Sequence, residues 1–197
     1  GAELVLSDAS AGMQGAIDKM KELMGGHEEY VTLGQFDNPD NVLAHYETSG
    51  PEILKQQPDV DIFVAGVGTG GTFSGISRRL KEHDPHILCV AVEPASSALL
   101  SGRKAGAHKI QGIGANFIPD TLDRSIYDQV IRVRDEDAFA AGRELVRTEG
   151  VLVGVSSGAA LWAAAQLARQ PEYAGKTIVV ILPDSGDRYL SSPMFAE

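Results

Sequence analysis

The chain has 197 residues, 43% of them hydrophobic and 22% charged, with a formal net charge of −10. That acid excess argues against nucleic-acid binding by phosphate neutralisation, and no apolar run approaches the ~20 residues of a membrane span. Cys89 is the single cysteine, so no disulfide framework or cysteine-rich metal site can form; a lone cysteine fits a reducing compartment and points to the cytoplasm. The 22 glycines exceed an ordinary share of about 7%. Excess glycine without low complexity marks loops where backbone must approach something closely.

Residue 1 is Gly rather than Met, and residues 4–6 already read as a strand, so an N-terminally incomplete chain is expected. Residues 11–24 read as a helix, with Met13, Ile17, Met20 and Met24 on one face. Gly25-Gly26 stops it, and 30–33 is a short strand. Gln35 to Asn41 is turn chemistry that caps a helix running through His45 and Tyr46. That helix is perturbed at Gly50-Pro51, where Pro51 suits a renewed first turn, and it ends near Gln57-Pro58. A strand at 61–65, a helix at 72–83 and a strand at 87–92 follow. Residues 93–123 are irregular and rich in glycine; 127–133 is a strand, and 136–148 a helix with Asp135 as N-cap. After an apolar run at 151–155 come an alanine-rich helix at 157–169, a strand at 177–182 and a turn-rich tail from Pro183. Such alternation predicts an α/β fold, a doubly wound and mostly parallel sheet.

Three junctions carry chemistry. At the first, a buried strand runs straight into Gly68-Thr69-Gly70-Gly71-Thr72 and then a helix. Glycines let successive N–H groups turn toward one point, the helix N-terminus adds unpaired donors, and two threonines add hydroxyls. This is a phosphate cradle. It lacks the lysine of a P-loop. Read instead as G-x-G-x-x-G with Gly66, Gly68 and Gly71, and with Glu93 about 20 residues on, it would be a Rossmann NAD site.

At the second junction, Gly154-Val155-Ser156-Ser157-Gly158, Ser156 is either a helix N-cap or a hydroxyl facing a polar ring atom of a ligand. The third, Leu182 to Ser191, is a glycine turn that on its own reads as a surface loop with an Asp187/Arg188 charge pair. The five histidines are scattered, so no metal site is expected. Cys89 and Trp162 read as packing.

Together with Gly112-Ile113-Gly114-Ala115 and Gln35-Phe36-Asp37-Asn38-Pro39, these junctions resemble cysteine synthase (O-acetylserine sulfhydrylase) along essentially the whole chain. That family belongs to the fold-type II pyridoxal 5'-phosphate (PLP) enzymes. The resemblance favours PLP over NAD. It implies that Gly68, Thr69, Gly70, Gly71 and Thr72 hold the cofactor phosphate and that Ser156 meets the pyridine nitrogen. It also implies that Gln35 helps bind the substrate carboxylate and that Gly112, Ile113 and Gly114 line the substrate entrance. The reaction implied is replacement of acetate in O-acetylserine by sulfide. The implied partners are a second copy of the chain, as a homodimer, and the C-terminal tail of serine acetyltransferase.

Asn116 and Ser185 depart from the family, standing where many members have Gly and an aromatic residue. A larger departure is that no Ser-Val-Lys-Asp-Arg-like segment is present to carry the Schiff-base lysine, and no Thr-Ser-Gly-Asn-Thr-like substrate loop. Lys19, Lys21, Lys55, Lys81, Lys104, Lys109 and Lys176 all lie outside such a motif. The reading is therefore residues 1–32 as a remnant of a smaller domain and 33–197 as the larger PLP-binding domain, with no catalytic lysine and no activity of its own. Alternatives are a sister activity (cystathionine β-synthase or a thiosulfate-using cysteine synthase), the Rossmann reading, and a non-catalytic binding module.

Overall fold

In the computed structural model, which describes residues 1–195, four short apolar runs pair side by side. They are β1 (Ile62–Gly66), β2 (Leu88–Pro94), β3 (Gln129–Val133) and β4 (Ile178–Val180). All pairs are parallel and the order is β3-β2-β1-β4. Buried parallel strands read as continuous apolar runs because both faces are covered. Alternation along β1 shows this. Ile62 and Val64 enter one core with Val90 and Val92, and Phe63 and Ala65 enter a second core with Cys89 and Ala91.

Helices of the same unit cover both faces. Of the helices α1 (Gly12–Met24), α2 (Asp40–Glu47), α3 (Ser49–Gln56), α4 (Gly71–His83), α5 (Asp135–Glu149) and α6 (Val155–Ala168), α4 supplies Phe73, Ile76 and Leu80 to the second core. α5 and α6 supply Ala138, Phe139, Ala159, Ala163 and Leu167 to the first. A Cβ on Gly158 would overlap Ala138 O, so α5 and α6 cross at backbone contact. The doubly wound parallel sheet expected from sequence is what forms. Cys89 is fully buried, its thiol pushed up by burial, and Trp162 packs against the first core, as expected.

The chain divides into two compact units, Gly1–Gly34 and a second that begins at Gln35. The strands expected at 4–6 and 30–33 do not form; the only sheet among the described residues lies in the second unit. A strand exists only in register with a neighbour, and Leu4, Leu6 and Val31 are instead largely exposed. The expected β4 shortens to three residues, although Ile181 N–H still donates to Val64 O at 3.0 Å.

The run 151–155 contributes only one antiparallel bridge, Val153 to Ser185. Asp135 is the first residue of α5 rather than its N-cap, which is Arg134; the Asp135 carboxylate accepts from Lys109 N–H at 2.9 Å. The irregular stretch after β2 is no solvated loop, since Ile110 and Ile113 enter one core and Leu122 the other.

α2 lies unusually close to α4. A Cβ on Gly75 would overlap Val42 O and stand 2.8 Å from His45 Cβ. Gly75→Ala is expected to destabilise the chain by about 1–3 kcal/mol in urea denaturation through overpacking. Helix propensity alone would stabilise it by up to about 1 kcal/mol, so the sign of the change decides between the two effects.

The turn after β4 clamps the start of α6. Asp184 O accepts from Gly154 N–H at 3.0 Å and from the Ser157 hydroxyl at 3.4 Å. Tyr189 OH donates to the Asp184 carboxylate at 2.6 Å. This pair orders the turn; Asp187 and Arg188 form no ion pair with each other among the described residues. Burial, with the Asp184 carboxylate beside it, pushes the Tyr189 phenol up to about 12. The native state therefore favours the neutral phenol. Its stabilising contribution is complete below pH 10, the ordinary tyrosine value, and is lost as pH rises toward 12. Tyr173 is also raised by burial and by Glu172, so alkaline titration followed by phenolate absorbance should show late tyrosine ionisation, and Tyr189→Phe should remove the step near pH 12 together with its share of the alkaline destabilisation.

Candidate functional site

β1 sits where the strand order reverses: the chain leaves it toward β2 and β3, then returns to its other side as β4. Open parallel sheets bind ligands at the carboxyl ends of the strands flanking such a switch point. A cavity of about 160 Å³ lies there, between the end of β1 (Ala65, Gly66) and the residues after β4 (Ile181, Pro183). Gly68, Thr69, Gly70, Thr72 and Phe73 form one part of its wall, and Gly112, Ile113 and Ser156 another. A larger hollow of about 520 Å³ within the first unit brings neither a glycine turn nor a helix N-terminus to its wall.

The glycines of the turn are fixed by protein neighbours. Gly70 has φ +89°, a left-handed conformation glycine adopts without strain. A Cβ there would stand 2.7 Å from Leu122 Cβ; on Gly68 it would overlap Gly112 O, and on Gly71 the Asn41 side chain. Packed so closely, the turn presents backbone donors. The N–H groups of Thr69, Gly70, Thr72 and Phe73 find no acceptor among the described residues, and Gly71 N–H reaches only Thr69 Oγ1 at 3.3 Å. These are the orphan donors and positive dipole end of α4.

Residues behind the turn hold it in place. Asn41 Nδ2 donates to Gln35 O at 2.8 Å and to Thr69 Oγ1 at 3.0 Å. The Thr121 hydroxyl donates to Thr69 O, while Thr121 N–H donates to Phe36 O at 3.1 Å. His45 Nε2 meets Thr72 Oγ1 at 3.0 Å. None of these three was singled out by the sequence. Asn41 reads there as turn chemistry; the signal that could have found it is an amide one turn into a helix, and only the fold shows it reaching residue 69.

Ser156 is not the N-cap of α6, a place taken by Gly154; it lies in the first turn. The residue is buried and lines the cavity, and its hydroxyl makes no hydrogen bond to another described residue. A buried hydroxyl left without a protein partner at a cavity wall fits a ligand acceptor.

The structure thus brings Gly68, Thr69, Gly70, Thr72, Gly112, Ile113 and Ser156 onto one cavity. Gly71 supports it from behind. Gly114 is not in the wall: its N–H donates to Val67 O at 3.0 Å and its carbonyl lies 2.8 Å from His108 Nε2. Gln35 is exposed, and its contact toward the turn is its backbone carbonyl. Asn116 takes φ +66°, a left-handed conformation that Asn tolerates next best after Gly, which accounts for that departure.

Glu93 does not sit as a ribose-binding acid should. It is buried, and its carboxylate accepts from Leu100 N–H at 2.8 Å and from Ser101 N–H and Oγ at 3.0 and 2.6 Å. Nor does any lysine line the cavity. Lys81 and Lys176 bond Asp128 and Asp61 at the opposite, amino-terminal edge of the sheet. Among the described residues no cluster of His, Cys, Asp or Glu could hold a metal ion, and no helix is long and apolar enough to cross a membrane.

Comparison with known proteins agrees with this geometry. The chain is 49% identical to a cysteine synthase of Staphylococcus aureus over 198 aligned positions, covering all of this chain and 63% of that protein. It thus spans less than two thirds of that relative's length. The crystal structure of a cysteine synthase from Entamoeba histolytica superposes with a TM-score of 0.93 at 42% identity, over 99% of this chain and 58% of that one. An O-acetylserine dependent cystathionine beta-synthase from Helicobacter pylori gives 0.92 at 42% identity, over 100% and 64%. Residues 1–184 match the model of the pyridoxal-phosphate dependent enzyme family, and with the donor-lined cavity at the switch point of its sheet the chain belongs to that family.

Proposed function

We propose that this chain carries the PLP-binding part of a cysteine synthase, which replaces acetate in O-acetylserine by sulfide. The observation that supports it is a set of unpaired N–H donors at the start of α4 and the Ser156 hydroxyl, which bonds no other described residue, on the walls of one cavity. In this reading Gly68 to Thr72 hold the phosphate, with Thr69 and Thr72 adding hydroxyl donors, and Ser156 donates to the pyridine nitrogen. Gln35 contributes to binding the substrate carboxylate. Gly112 and Ile113 wall the entrance and exclude water, and Gly114 sets their backbone.

PLP supplies the electron sink through which an amino acid loses its α-proton and its β-substituent. The chain sets how strong that sink is. A serine hydroxyl, unlike a carboxylate, does not hold the ring nitrogen protonated. That moderates electron withdrawal and favours β-elimination and replacement over transamination. Residues 1–32 are read as part of the smaller domain, and the protein as a cytoplasmic homodimer whose site accepts the tail of serine acetyltransferase. With no lysine on the cavity wall, the 197 residues alone are proposed to bind PLP reversibly and to make no cysteine. A second reading, a sister enzyme with a larger thiol as nucleophile, is favoured by the likeness to the Helicobacter pylori structure.

Fluorescence titration with PLP, pyridoxal, inorganic phosphate and NAD tests the binding mode. PLP should saturate and dialyse away, and NAD should not bind. Thr72→Val should weaken PLP and inorganic phosphate alike. Ser156→Ala should weaken PLP by roughly fivefold, the worth of one neutral hydrogen bond, and leave inorganic phosphate unchanged. Cysteine formation by the 197-residue chain, or a borohydride-trapped PLP adduct on one of its lysines, would overturn the proposal for the isolated chain. For the complete protein, comparing sulfide with homocysteine as nucleophile separates the two activities.

A further inference from the structure

Thr69 and Thr72 both border the cavity, but they are wired differently. Thr69 Oγ1 already accepts twice, from Asn41 Nδ2 at 3.0 Å and from Gly71 N–H at 3.3 Å. The Asn41 amide cannot turn round, because its Nδ2 also donates to Gln35 O at 2.8 Å, where its carbonyl would face another carbonyl. A hydroxyl has one proton and two lone pairs. Both lone pairs of Thr69 are taken, so its proton is left for the cavity.

Thr72 Oγ1 has one protein partner, His45 Nε2 at 3.0 Å. If Thr72 donated to that nitrogen, it would turn a lone pair on a bound anion. If Nε2–H donates, the threonine proton faces the anion. A neutral imidazole has one donor and one acceptor nitrogen, so the choice is made at Nδ1, which lies 2.9 Å from Ser49 Oγ. Burial holds His45 below the ordinary histidine range, which keeps the ring neutral at pH 7. The three residues come from α2, α3 and α4, and the bare Gly75 backbone lets His45 approach α4.

We propose that His45 is a positioning residue of the anion cradle: Ser49 donates to Nδ1, Nε2–H donates to Thr72, and Thr72 donates to a phosphate group at the start of α4. The proposal rests on the phosphate reading above. Neither His45 nor Ser49 lines the cavity, so both act through Thr72.

The test titrates the chain and its variants with PLP, pyridoxal and inorganic phosphate, with folding followed by circular dichroism. His45→Leu should raise the Kd for PLP and for inorganic phosphate by the same factor, about fivefold, the worth of the neutral hydrogen bond that positions Thr72. Pyridoxal, which lacks the phosphate, should be unaffected. His45→Gln, whose Nε2 amide still offers a donor, should recover most of the affinity. Ser49→Ala frees the tautomer and should cost about threefold. His45→Leu combined with Thr72→Val should be no weaker than Thr72→Val alone.

Wild-type affinity in His45→Leu, or His45→Gln as weak as His45→Leu, would overturn the proposal, and so would a loss that falls equally on pyridoxal. If His45→Leu does not fold, Ser49→Ala and His45→Gln carry the test: unchanged phosphate affinity in the first together with a full loss of about fivefold in the second overturns it. No saturable binding of PLP or phosphate by the wild type, or normal binding by Thr72→Val, would instead sink the phosphate reading and this proposal with it.

Discussion

The first turn of α4 is built to keep its backbone donors unpaired. A buried N–H without an acceptor costs about 1–3 kcal/mol, so folded proteins normally cap such groups. Here only Gly71 N–H meets a side chain, Thr69 Oγ1 at 3.3 Å, and the N-cap is Gly70, with no side chain to offer. The neighbours that could have filled the space are tied elsewhere. Asn41 is held by Gln35 O and Thr69, Thr121 by Phe36 O and Thr69 O, and Leu122 packs against Gly70. Every polar contact that reaches the turn from behind leaves donors facing the cavity. On the proposed reading an anion satisfies these donors, and the two cores, one on each face of the sheet, hold the elements that frame the turn.

Sequence reading located this turn correctly and explained it only in part. It took the glycines as giving the backbone freedom to form a nest. The structure adds a steric reason for each from a distant segment: Gly112 for Gly68, Leu122 for Gly70, Asn41 for Gly71. Local geometry is legible in a run of residues, because the φ a glycine permits is its own property. The neighbour a missing Cβ makes room for is a property of the fold. For the same reason Asn41, Thr121 and His45 were missed. Nothing in their own surroundings in the sequence distinguishes them from turn, loop and helix residues.

The same division accounts for the elements. Helices were readable because their hydrogen bonds are local and the apolar period repeats within each one. The strands of the sheet were readable because they are buried on both faces and continuously apolar. Runs 4–6 and 30–33 have strand composition, yet a strand needs a neighbour that composition does not specify. Asp135 missed the cap position by one residue, and its carboxylate is used on Lys109 N–H instead. Glu93 fitted a spacing rule for ribose recognition, but its burial against Leu100 and Ser101 is a tertiary fact that the spacing could not show.

No ionisable side chain lines the cavity. The proposed anion would be held there by peptide dipoles and hydroxyls alone, as a helix N-terminus can bind a dianion without burying a counter-charge that would need its own desolvation. At the other wall, Ser156 offers a neutral donor; Asp184, whose Oδ2 accepts from Tyr189 and whose Oδ1 is buried without a partner among the described residues, does not line the cavity. The two walls belong to opposite layers, α4 packing on one face of the sheet and α6 on the other. Their separation is therefore set by the sheet between them and not by a flexible loop. On the proposed reading, the spacing of the two walls sets the distance between a phosphate at the start of α4 and a ring nitrogen at Ser156, so the sheet itself acts as the gauge for the ligand.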